Sequence, residues 1–145
     1  MCGVAGFVNL GNNSFSGEEI EIVLEKQVQA LKHRGPDDSG VWVNDSREVG
    51  LCHTRLSIPD LSANGAQPMV SNSGRFILVF NGEIYNHLVL RKELEPRLNS
   101  KWKGNSDTET LLKGFECWGI RNPIIKTKGM FGFAVLDNKE EVLPL

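Results

Sequence analysis

Cys2 offers more chemistry than any other side chain in this sequence, because of where it stands. A small second residue permits removal of Met1, and Cys2 then carries a thiol and the chain's α-amino group together. That amine, with an unperturbed pKa of about 7.7–8.0, can act as a general base near neutral pH. A thiol titrating at about 8.5 is already partly ionised there and is intrinsically nucleophilic. Nucleophile and base would share one residue, with no histidine required, and Gly3 would allow tight backbone geometry and close substrate approach. Position alone leaves open a blander reading, an incidental small residue after the start. Cys52 and Cys117 show neither a CxxC spacing nor a nearby paired histidine, so neither a zinc site nor a disulfide framework is indicated. Both read as inert core thiols. His33, His53 and His87 are expected to be satisfied by local hydrogen bonds.

Positioning a nucleophile at the first residue requires a rigid element directly after it. Gly3 to Leu10 holds the apolar run VAGFV and predicts a strand. Ser16-Gly17-Glu18-Glu19 has the form of a capping box, and Ile20, Val23, Leu24, Val28 and Leu31 follow at helical spacing. That helix should fade near Lys32, before Gly35-Pro36. Ser39 to Val43 and Val49 to Thr54 predict paired strands around Asn44-Asp45-Ser46, and residues 57 to 74 a long ordered loop. Arg75 to Asn81, RFILVFN, fits a strand covered on both faces, and Asn86 to Leu98 a helix. A second capping box, Ser106 to Glu109, starts another helix with Leu111, Leu112, Phe115 and Trp118 inward. Gly129 to Asp137 predicts the last strand. Strands apolar on both faces, mixed with amphipathic helices, predict layered sheets with helices outside. Taken alone, Asn81-Gly82 is a strong hairpin-turn signal.

A length of 145 residues is one domain's worth of chain, enough to bury a core without staples. Hydrophobic residues at 40% and charged residues at 23% match an ordinary globular protein. A formal net charge of −2, with scattered Lys and Arg, gives no footprint for nucleic acid or an anionic membrane. No run approaches the roughly 18 apolar residues that cross a bilayer, and no signal peptide is readable, so a cytoplasmic location is the expectation.

Six blocks in order, MCGVAGF, KHRGPDDSG, HTRLSIPDLSANGAQPM, VFNGEIYNH, SDTET and GMFGFAVLD, resemble the glutaminase domain of glutamine-hydrolysing asparagine synthetases. That domain is a class II glutamine amidotransferase with an N-terminal cysteine nucleophile. The resemblance implies an α+β fold, a four-layer αββα sandwich of two antiparallel sheets covered by helices. It implies that Cys2 attacks the side-chain amide of L-glutamine, releasing ammonia and leaving a γ-glutamyl thioester that water hydrolyses. Asn81 and the Gly82 backbone N–H would stabilise the oxyanion, and Arg55 would hold the substrate carboxylate. Asp107, helped by Glu83, would hold the ammonium, and the backbone of Leu56, Ser57, Ile58 and Pro59 would line the pocket. Arg34 and Asp37 would organise a nearby loop.

No metal or cofactor is implied for this half-reaction. ATP and magnesium belong to the larger synthetase domain, which is absent from residues 1–145 and would be the ammonia-accepting partner. The resemblance implies further strands beyond Leu145, so the domain is expected to be incomplete at its C-terminus. Two readings result: an enzyme domain supplying ammonia for asparagine or a related amide, or a non-catalytic relative that binds or regulates a full-length synthetase. A homo-oligomer is left open.

Overall fold

The computed structural model describes residues 2–9, 11, 15–56, 65–140, 142 and 144. Two antiparallel three-stranded sheets face each other. The first contains β1 (Gly3–Val8), β2 (Asp38–Val43) and β3 (Val49–Arg55), in the order β1-β3-β2. The second contains β4 (Met69–Val70), β5 (Phe76–Ile84) and β6 (Gly129–Asp137), in the order β4-β5-β6. Helix α1 (Gly17–Leu31) covers the first sheet. Helices α2 (His87–Leu94), α3 (Asp107–Trp118) and α4 (Arg121–Lys126) lie on the side of the second sheet, where α3 packs on β5. The fold is therefore α+β, with the layers in the expected order αββα.

Each layer arises from side-chain alternation. In β5, Phe76, Leu78 and Phe80 point towards the helices and join Leu111, Leu112 and Phe115. Ile77 and Val79 point the other way and meet Leu51, Val4 and Trp42 of the first sheet. Both faces of β5 are buried, so its sequence is continuously apolar. On the outer face of the first sheet, Ala5, Phe7 and Cys52 pack against Ile20 and Leu24 of α1. The Ser16 capping box is complete: Ser16 Oγ accepts from Glu19 N, and the Glu19 carboxylate accepts from Ser16 N. Asn44 Oδ1 closes the β2–β3 turn by accepting from Glu48 N and Val49 N, each at 2.9 Å.

Several local expectations are corrected. The helix expected over Asn86 to Leu98 ends at Leu94 and continues as a 3₁₀ turn, Glu95–Arg97, because Pro96 cannot supply the next helical N–H. The second capping box is half formed. Ser106 Oγ accepts from Glu109 N, but the Glu109 carboxylate accepts instead from Lys103 N and Gly104 N. Trp118 and Cys117 are only half-buried. Met69–Val70 forms a short strand inside the expected loop, and the six-residue helix α4 has no counterpart among the expected elements. Residues 57–64 of that loop lie outside the described residues.

Candidate active site

The C-terminal end of β3 organises the neighbourhood of Cys2. Thr54 stands opposite Gly3 on β1 and Ser39 on β2, and Arg55 stands opposite Asp38. Half-buried Cys2 comes immediately before Gly3, and its thiol is free. Gly3 is required by packing, since a Cβ there would lie 2.6 Å from Thr54 Oγ1 and 3.0 Å from Leu31 Cβ. Gly35 is equally constrained: its Cβ would meet the Thr54 carbonyl at 2.4 Å. The Arg34–Asp37 segment therefore lies directly on the end of β3. From there Arg34 Nε donates to the Cys2 carbonyl at 3.3 Å, and Asp37 N donates to the Arg55 carbonyl at 3.0 Å. One loop holds both the backbone of the candidate nucleophile and that of the carboxylate-binding candidate.

On the opposite sheet, β5 does not turn at Asn81-Gly82. It runs through to Ile84, paired with β6 in unbroken register. Asn81 continues the series Ile77, Val79 on the face towards the first sheet. It stands opposite Gly132, which has no side chain to compete for that space. Gly82 adopts φ +145°, and a Cβ there would lie 2.2 Å from the Met130 carbonyl oxygen. No other residue fits that position without shifting β6.

The alternate peptide groups of β5 that face away from β6 form an informative edge. Leu78 pairs with Met69 of β4. Phe80 N donates to Gln67 Oε1 at 2.6 Å, and Ile84 N donates to Asp107 Oδ2 at 2.9 Å. By the same alternation the Gly82 N–H lies on this edge, between the two anchors. Asp107 also accepts from Thr108 N through Oδ1 at 2.8 Å, beside the Ser106 N-cap. Its carboxylate, with about four lone-pair directions, keeps acceptor capacity for a cation. Glu83 is exposed next to it.

Across the sandwich, β1 and β3 both pack on β5. Val4, Leu51 and Val79 share one cluster, so strand alternation places Cys2, Arg55 and Asn81 on the facing surfaces. Gly65 lies against the Arg55 guanidinium; a Cβ there would be 2.6 Å from Nη2. Leu56 comes directly after β3 and is half-buried, while Ser57, Ile58 and Pro59 lie outside the described residues. Among the described residues no trio of His, Cys, Asp and Glu is placed to hold a metal ion. A cavity of about 300 Å³ lies elsewhere, between β4 and α3. Its charged lining is already engaged: Glu109 pairs with Lys113, and Glu116 accepts from Ser73.

Two of the three histidines depart from expectation. His33 is satisfied, with Nδ1 2.9 Å from the Ala30 carbonyl oxygen. By contrast, buried His53 Nε2 and His87 Nδ1 have no hydrogen-bond partner among the described residues, and neither does Asn81 Oδ1. Burial pushes the His53 pKa down to about 4, partly opposed by the Phe80 carbonyl and by Asp38, while the Arg55 charge lowers it further. Its signal in the sequence was a polar residue on the inward face of a wholly buried strand. Burial also raises the Cys52 and Cys117 thiols, keeping both protonated and unreactive.

A family model described as a glutamine amidotransferase domain matches residues 1–145. The chain is 34% identical to asparagine synthetase [glutamine-hydrolyzing] 1 of Bacillus subtilis, over 99% of this chain and 22% of that protein. It is 35% identical to Amidase chry2 of Gibberella zeae, again over 99% of this chain and 22% of the relative. The chain thus spans about a quarter of the length of the curated relatives it matches, 22% to 29% in the leading cases. Glutamine phosphoribosylpyrophosphate amidotransferase from B. subtilis, solved with ADP and GMP, has the same fold at a TM-score of 0.69 and 19% identity. The likeness covers 94% of this chain and 34% of that one.

Proposed function

The chain belongs to the glutamine amidotransferase domain family, and from that premise we propose that it hydrolyses the side-chain amide of L-glutamine through a thioester on Cys2. With Met1 removed, the Cys2 amine takes the thiol proton and the sulfur attacks the amide carbon. Negative charge forming on the amide oxygen is met by the Asn81 side-chain amide and the Gly82 N–H, donors fixed before the reaction begins. The amine returns the proton to the leaving nitrogen, and ammonia departs. The Cys2 amine then takes a proton from a water molecule, whose oxygen attacks the thioester to give glutamate, and returns the proton to the departing sulfur. Arg55 pairs with the substrate α-carboxylate through its planar fork. Asp107 and Glu83 face the α-ammonium, and the backbone of Leu56, Ser57, Ile58 and Pro59 borders the substrate.

One observation carries this reading: Cys2 directly precedes β1 and Arg55 ends the adjacent β3, both on the face turned towards the sheet that carries Asn81. The same premise assigns the released ammonia to a synthetase region or subunit that uses ATP and magnesium to amidate aspartate or a related acceptor. A reducing compartment, the cytoplasm, suits a free nucleophilic thiol. Purified protein incubated with glutamine should release glutamate, and Cys2→Ala should abolish the release. Equal rates from the two proteins would leave only a non-catalytic, partner-binding role. Intact mass should show loss of Met1, because a retained methionine blocks the amine.

A further inference from the structure

We propose that Gln67 is a positioning residue for the oxyanion donors, holding the β5 edge at Phe80 so that Asn81 and Gly82 keep their aim. The inference rests on the glutamine-hydrolysis reading and adds a residue to which no role had been assigned. Strand β4 supplies only two pairs to β5, Met69 with Leu78 and Val70 with Ile77. The next peptide group on that edge, Phe80, belongs to a residue 2% exposed. Its N–H would be left without a strand partner, and Gln67 Oε1 takes it at 2.6 Å.

The main chain of Gln67 packs at the same time against the opposite sheet. A Cβ on Gly40 of β2 would lie 2.1 Å from the Gln67 carbonyl oxygen, so the two backbones touch there. Gln67 thus grips the sheet of Cys2 with its backbone and the sheet of Asn81 with its side chain. His53, from β3, is influenced by the Phe80 carbonyl, which belongs to the next peptide group along β5. These anchors matter because the oxyanion donors come directly after them along β5. Gly82, at φ +145°, has the conformational freedom of glycine, so its N–H direction is not set by its own residue. The ladder to β6 orients the peptide from one edge of the strand, and the fixed peptides on either side, Phe80 through Gln67 and Ile84 through Asp107, hold the other edge in place.

Displacing an oxyanion donor by a fraction of its hydrogen-bond length slows chemistry without loosening a substrate held elsewhere by Arg55 and Asp107. Steady-state glutamine hydrolysis should be measured for the wild type, Gln67→Met, which removes the acceptor at similar volume, and Gln67→Glu, which keeps an oxygen there. Gln67→Met is expected to lower kcat by roughly 10- to 100-fold with KM within about threefold. Gln67→Glu is expected to recover most of kcat, a rescue that mere space-filling would not produce. If Gln67→Met does not fold, Gln67→Asn, which draws the acceptor back by one methylene, gives the same kcat readout. Unchanged kcat in a folded Gln67→Met or Gln67→Asn protein, or a rise in KM that matches the loss, overturns the inference while leaving the proposed function standing. Absence of Cys2-dependent activity in the wild type overturns both.

Discussion

At the scale of single residues, the proposed reaction divides the candidate site into groups that would hold the substrate and groups that would act only as charge develops. Arg55 belongs to the first kind. Lysine at that position would keep the charge but lose the two-pronged geometry, and hydrogen bonds to charged groups contribute about 1.5–3 kcal/mol each. Arg55→Lys should therefore raise KM for glutamine by roughly one to two orders of magnitude with kcat little changed. Asn81 belongs to the second kind. Asn81→Ala removes a donor that matters only in the tetrahedral intermediate, and should lower kcat about 10²–10³-fold with KM nearly constant. Kinetics on the two variants give opposite kcat and KM patterns if the roles are as assigned. A KM effect from Asn81→Ala, or a pure kcat effect from Arg55→Lys, would reverse the assignment. Cys2 stood out in the sequence because its chemistry is local, a terminal thiol beside an amine, whereas Arg55 was marked only by the resemblance of its HTRLSI block. His53 and Gln67 were not, because their importance comes from contacts between sheets that no spacing along the chain encodes.

At the scale of elements, Asp107 is placed by an irregular segment that side chains bind to α2 and α3. Lys113 Nζ donates to the Lys101 carbonyl at 2.6 Å, and the Glu109 carboxylate accepts from Lys103 N and Gly104 N. The Trp102 ring carries the Arg91 guanidinium 3.9 Å from its centre and the Lys113 ammonium at 4.6 Å. Arg91, Glu109 and Lys113 are all buried, so removing one charge strands the others away from water. Lys113→Met should destabilise the protein by about 3 kcal/mol or more, lowering Tm by roughly 10 °C for a chain of this size. A melting curve that superimposes on the wild type would show the cluster to be ornamental. This cluster also explains the half-formed capping box. The Glu109 side chain is drawn into the tertiary network, and a local sequence signature cannot anticipate that competition. The same limit applied at Asn81-Gly82, where the strongest short turn signal occurs inside a strand. Pairing with β6 and the close approach of Met130 override it. Where local preference and tertiary packing agreed, as in α1, β3 and β6, the sequence marked the elements to within a residue or two.

At the scale of the whole molecule, the two sheets meet over an apolar interface formed by Val49, Leu51, Ile77, Val79 and Leu136. His53 continues that surface towards the site at 1% exposure, with Arg55 and Asp38 as its charged neighbours. Its proton affinity therefore reports on whether the sheets are closed. In the folded state His53 titrates at about 4, and in the unfolded chain it returns to about 6.5. Between these values the unfolded chain binds more protons, so stability rises with pH. The contribution from neutral His53 is fully present above about 6.5 and is lost as pH falls towards about 4. In that window it should change at up to about 1.4 kcal/mol per pH unit. Carboxylates titrate in the lower part of the same range, so the informative quantity is a difference between two proteins. Urea unfolding of the wild type and of His53→Gln should be followed from pH 7 to pH 4.5. The wild type should lose stability more steeply than the variant, because Gln fills the position without taking up a proton. Parallel curves would mean that His53 is charged or hydrated in the folded protein, and that the sandwich is open to water at the end where Cys2 lies.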